Sequence, residues 1–155
     1  MTARLTRRLL IAATIAGALP ANAEAEPSVE LGAILNKYAD ALRAEDAEAA
    51  VRLFRTNGSY MAPGAKIAVG TDALLAAHKR LLATLRIDLA YDVREAATFA
   101  EVGWLRSTAR ARLKILSSGV ESTRYSNQLV VFGPEAGIWK IHSYLSAPAP
   151  ADAAN

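Results

Sequence analysis

Cysteine is missing from all 155 residues, which excludes both a disulfide framework and a thiolate metal site. Histidine is scarce: His78 and His142 are the only two, too few for a histidine-rich metal centre. The chain also lacks a glycine-rich phosphate loop, a nucleophile elbow and any metal-binding spacing. No apolar run reaches the ~20 residues that span a bilayer. Such a chain must hold together by packing or by oligomerising, and neither a cofactor nor a metal is expected.

A surplus of positive charge is only apparent. The chain carries 18 Lys+Arg against 15 Asp+Glu, a formal net charge of +3, but three of the arginines crowd its first residues. Arg4, Arg7 and Arg8 precede the apolar run Leu9–Leu19, which Pro20 breaks before the small residues Ala21-Asn22-Ala23. That order predicts a signal peptide over residues 1–23 rather than a short helix or a membrane anchor, followed by a remnant over 24–28. The leader makes the periplasm the expected location, with no membrane association after cleavage; Thr6-Arg7-Arg8-Leu9-Leu10-Ile11 also resembles the twin-arginine export pattern, an alternative to the general secretory route. Without the leader, 15 basic side chains face 15 acidic ones, and the cation surplus that a nucleic-acid binder needs is gone. About 130 residues remain, enough for one core.

Leu31, Ile34, Leu35, Tyr38 and Leu42 fall three and four apart and predict a first helix. Asp46 is a fair N-cap for a second, with Ala50, Val51 and Phe54 on one face and Asn57-Gly58 as its stop. A short extended segment, residues 59–64, ends in the turn signal Pro63-Gly64. Gly70-Thr71 opens a third helix, with Thr71 as its N-cap and a stripe of Leu74, Leu75, His78, Leu81 and Leu82. The period then changes to two: residues 87–94, 105–115, 125–132 and 138–145 read as four strands. Helices first and a meander of strands last indicate an α+β fold, helices packed on one face of a bent sheet. The arginines alternating along 105–115 belong to the outer face, solvated or in a dimer interface rather than in a binding groove. The Pro/Ala-rich residues 147–155 are expected to be disordered.

Four stretches carry a resemblance: Tyr38-Ala39-Asp40-Ala41-Leu42-Arg43-Ala44-Glu45-Asp46, Tyr60-Met61-Ala62-Pro63-Gly64, Gly70-Thr71-Asp72-Ala73-Leu74, and Trp139-Lys140-Ile141-His142. With this order of elements, the chain over residues 29–146 resembles the SnoaL-like branch of the ketosteroid-isomerase and nuclear-transport-factor-2 superfamily. The resemblance implies a cone: a strongly curved antiparallel sheet wrapped by three helices around a central apolar pocket, often dimerising through the outer sheet face. It places the oxyanion-donating tyrosine of ketosteroid isomerases at Tyr38 and a supporting hydrogen-bond partner at His78. The catalytic base falls on Ala62, which holds no proton, and the second oxyanion donor on Gln128, which has no proton to titrate.

The site expected from these readings consists of Tyr38, Tyr60, His78 and Gln128. Tyr38 is either a core tyrosine whose hydroxyl finds a partner or a ligand contact; His78 is either a satisfied core histidine or an acid/base. Trp104, Tyr60 and Tyr125 are candidates for the mouth, and His142 is expected to face away from Ile141. The leading expectation is an exported domain that binds a small, largely apolar molecule without ketosteroid-isomerase chemistry. The alternative is a lyase or isomerase with Tyr38 as hydrogen-bond donor and His78 as acid or base.

Overall fold

The computed structural model of the chain describes residues 27–151; the expected leader and the last residues of the expected tail lie outside the described residues. The first helix, α1 (Pro27–Arg43), buries Leu31, Ile34, Leu35, Tyr38 and Leu42, the stripe its sequence predicts. It ends in a Schellman motif: the Asp46 amide donates to the Ala41 carbonyl at 2.9 Å and the Glu45 amide to Leu42 at 3.1 Å, with Glu45 left-handed at φ 59°. The Asp46 side chain then caps α2 (Ala47–Arg52) by accepting from the Ala49 amide at 2.7 Å.

This second helix stops sooner than its spacing predicts. Phe54 opens a strand, β1 (Phe54–Met61), in which Asn57-Gly58 is an interior irregularity rather than a helix stop. Tertiary pairing outweighs helical periodicity here: the Ile141 amide donates to the Leu53 carbonyl at 2.8 Å and Phe54 aligns with Ile141. Gly58 suits the crowded spot, since a Cβ there would lie 2.9 Å from the Arg55 carbonyl oxygen. A two-residue strand, β2 (Ala68–Val69), pairs with β1. Helix α3 (Thr71–Thr84) is capped by Gly70 at φ 83°, not by a Thr71 side chain.

The remaining strands are β3 (Leu85–Phe99), β4 (Val102–Ile115), β5 (Glu121–Glu135) and β6 (Ile138–Ala149). They form an antiparallel meander; the Ala136-Gly137 connection has both residues at positive φ, the primed turn that suits twisted hairpins. Two departures from the expected sheet stand out. β1 joins β6 in parallel, giving the order β2-β1-β6-β5-β4-β3, and the sheet curves without closing. β6 also continues through Ala149, which is opposite Tyr125, so the expected disordered tail begins as strand. Register shifts between Val93 and Glu95 and between Val131 and Phe132 help bend it.

Ile87, Leu89, Leu105, Ala109, Val130, Phe132, Ile141 and Tyr144 form the buried concave face beneath α1. On the convex face two arginines of the row form cross-strand ion pairs, Arg106 with Glu95 at 3.2 Å and Arg112 with Asp88 at 3.8 Å. Exposed pairs of this kind contribute little stability. Among the described residues no helix is long and apolar enough to cross a membrane.

One surface carboxylate is held more firmly. Glu135 accepts from Lys140 Nζ at 2.8 Å and from both the amide and the hydroxyl of Thr56 at 2.9 Å. Lys140 first, then Thr56, hold its pKa down from 4.5 to about 2. A depressed carboxyl stabilises the fold above its unfolded pKa and ceases to as pH falls through the folded value. A Glu135→Gln variant is therefore expected to lose stability at neutral pH and to match the parent near pH 2, as urea midpoints across this range would show. A constant difference at every pH would refute the assignment.

Candidate functional site: the cone cavity

The cone encloses a cavity of about 400 Å³, within the usual ~300–1,000 Å³ of small-molecule sites. Leu42 of α1, Leu81 of α3, Ile87 and Leu89 of β3, and Ala111 and Leu113 of β4 make it mostly apolar. Its polar groups converge from α1, β1, β5 and β6: Tyr38, Tyr60, Ser126, Gln128, Tyr144 and Ser146, with Tyr125 and Arg124 nearer the β5 N-terminus. A wider groove of about 550 Å³ lies beside the ends of α1 and β3. Its cations already have acidic partners, Arg43 with Asp88, Arg86 with Glu45, Arg112 with Asp88 and Lys114 with Glu121, so the cavity is the better candidate.

Tyr38, Tyr60 and Gln128 are thus in the cavity wall, and so is the methyl group of Ala62 where the resemblance places a base. His78 is not. Buried on α3 behind Tyr38, it has both ring nitrogens engaged: Nδ1 with the Leu74 carbonyl at 2.8 Å and Nε2 with the Tyr38 hydroxyl at 2.9 Å. Burial is the main cause lowering the His78 pKa, against the Leu74 hydrogen bond, which raises it. The ring is therefore neutral at neutral pH. A carbonyl can only accept, so the proton is on Nδ1, Nε2 is the acceptor, and Tyr38 donates its proton to it. The Tyr38 hydroxyl is then left to accept, with the Tyr60 hydroxyl as its neighbour in the wall, and not to donate into the cavity.

Around this pair the aromatic rings interlock. Tyr38 meets His78 edge-on at 5.7 Å and Tyr144 at 5.5 Å; Tyr60 meets His78 at 5.0 Å and Tyr144 at 5.5 Å. Tyr91 and Tyr144 share a hydrogen bond of 3.0 Å. Burial is the leading cause that raises the pKa of Tyr38, Tyr60, Tyr91 and Tyr144, so none of these hydroxyls supplies a phenolate base near neutral pH. Gln128 accepts from Ser107 at 3.1 Å and donates to Ser126 at 2.6 Å, which fixes its amide at the cavity wall. What the site offers chemically is shape, an apolar surface and oriented neutral hydrogen-bonding groups. Among the described residues no cluster of acidic and histidine side chains could hold a metal.

Tyr144 was not among the expected residues. Strict alternation from the buried Ile141 sends Tyr144 to the outer face, but β5 pairs Phe132 with Ile141 and Val131 with Ser143, leaving His142 as the extra residue of a bulge. The bulge brings Tyr144 inward; His142 keeps a buried Nδ1 without a hydrogen bond among the described residues. Arg124 lies among the residues that β5 adds before the expected strand at 125–132, and pairing with Ala111 is what extends the strand to it. Of the three aromatic candidates for the mouth, Tyr60 and Tyr125 border the cavity; Trp104, aligned with Ala97 and Val131, does not.

No family model and no curated protein matches the sequence. Solved structures do. A ketosteroid isomerase-like protein from Erwinia carotovora atroseptica is 25% identical, with a TM-score of 0.74 over 81% of this chain and 98% of that one. A nuclear transport factor 2-like superfamily protein from Salmonella enterica serovar Typhimurium gives a TM-score of 0.72 at 14% identity, over 80% of this chain and 92% of that one. An uncharacterised protein with a cystatin-like fold from Caulobacter vibrioides gives 0.70 at 19% identity, over 84% and 95%. The chain therefore has the α+β, cystatin-like cone fold of the ketosteroid isomerase-like and nuclear transport factor 2-like superfamily.

Proposed function

We propose that this protein is an exported binding domain that holds a small, largely apolar molecule in its cone, without ketosteroid-isomerase chemistry. The observation that carries this reading is the composition of the wall: a cavity of about 400 Å³ with many apolar side chains, several neutral hydrogen-bonding groups and, among the described residues, no carboxylate and no histidine. Proton abstraction from carbon needs a base that reaches the substrate. Ala62 cannot serve as one, and His78 reaches the cavity only through Tyr38. The same hydrogen-bond directions weigh against a lyase or isomerase in which Tyr38 donates. Native mass spectrometry of protein isolated from its own source is expected to show a small molecule retained at one per chain. Protein that arrives empty, and stays empty when small apolar compounds are titrated in, would overturn the proposal.

The convex face supports a homodimer as part of this reading. Leu129 and Leu145, 45% and 41% exposed, are opposite each other on β5 and β6, beside the aligned pair Trp104 and Val131. Sedimentation equilibrium at micromolar concentration is expected to give the dimer mass; a monomer would remove this part of the proposal.

A further inference from the structure

Among the described residues that border the cavity, one is charged: Arg124. The register explains how it comes to be there. Gln128 is buried on the concave side of β5, and side chains alternate along a strand, so Ser126 and Arg124 share its face. Arg124 is opposite Ala111, which is also in the wall. Four residues of extended chain put Arg124 about 13 Å from Gln128, toward the exposed start of the strand. The cavity thus runs from neutral hydrogen-bonding groups at Gln128 and the tyrosines, past apolar side chains, to a guanidinium at its outer end.

That guanidinium has no carboxylate partner among the described residues, whereas Arg43, Arg86, Arg106 and Arg112 all do. Among the described residues no Asp or Glu borders the cavity, so an anion would meet attraction from Arg124 there. A guanidinium presents paired N–H groups that match the two oxygens of a carboxylate, and one cation balances one negative charge. We infer that the ligand is an elongated amphipathic monocarboxylate, its apolar body along Leu89 and Leu113 and its carboxylate on Arg124. This inference rests on the binding function proposed above and names the class of ligand.

Naphthalene-2-carboxylate and 2-naphthalenemethanol, close in shape and different in charge, test it by calorimetric titration at low ionic strength. The carboxylate is expected to bind about fivefold more tightly than the alcohol, as suits a partly exposed ion pair. That advantage should shrink with added salt and vanish in Arg124→Gln, in which the two compounds are expected to bind with equal affinity. Equal affinities in the parent, or an Arg124→Gln variant that keeps the carboxylate preference, would overturn the carboxylate assignment and leave the cavity as a binding site. Failure of both compounds to bind would overturn both.

Discussion

A His78→Ala variant is expected to lose about 2–4 kcal/mol of folding free energy in urea denaturation. The imidazole is 1% exposed and touches Tyr38, Phe54 and Tyr60 with its ring. Truncating it opens a void and leaves the Tyr38 hydroxyl buried without its acceptor. Tyr38→Phe removes the other half of the same hydrogen bond and should cost about 1–3 kcal/mol, the penalty for an unpaired buried nitrogen. Because the two groups touch, the double variant should cost less than the two single losses added together. Stability of Tyr38→Phe equal to that of the parent would show that the hydroxyl does not serve His78.

The pH dependence follows from the same burial. A histidine whose folded pKa lies below 6.5 is charged more readily in the unfolded chain. Its neutral form stabilises the fold fully above pH 6.5, and stability is lost as pH falls from there through the folded value. The His78→Ala variant should lack this limb and keep the one at lower pH that belongs to Glu135.

Filling the cone should have the largest effect on binding. Ala111 is on the concave face of β4, between Leu89 and Arg124 in register, and borders the cavity. An Ala111→Trp side chain would project into that space and displace a ligand. Affinity for 2-naphthalenemethanol is expected to fall more than tenfold, while the melting temperature stays level or rises, since the indole fills an apolar hollow rather than a packed core. Unchanged affinity in a folded Ala111→Trp variant would place the binding site elsewhere.

Much of the architecture was legible in the sequence because it is written in periodicity. The α1 stripe from Leu31 to Leu42 and the alternation along residues 105–115 each follow from one face being buried. Phe54 was misread because its spacing from Ala50 and Val51 suits a helix equally well, and only the distant partner Ile141 decides for strand. The end of β6 was misread because Pro148 and Ala149 have little intrinsic strand preference and are held by β5.

The cavity wall was legible in part and its wiring was not. Tyr38, Tyr60 and Gln128 were expected to converge, and they share one cavity. That His78 stands behind Tyr38 depends on the Leu74 carbonyl one helical turn earlier turning the ring nitrogen toward itself, a contact with no sequence signature. Tyr144 was hidden by a bulge at His142 that strict alternation cannot contain.

Commitment of the Tyr38 proton to His78 is what leaves the cone to bind rather than to react. Imidazole nitrogen chemical shifts measured by NMR through a pH titration test it most directly, with a His142→Gln variant assigning the two histidines. His78 is expected to be neutral, protonated on Nδ1 with Nε2 bare, and to titrate below the ordinary value of 6.5. A proton on Nε2 at neutral pH, or titration at or above 6.5, would contradict it and return Tyr38 to the cavity as a donor.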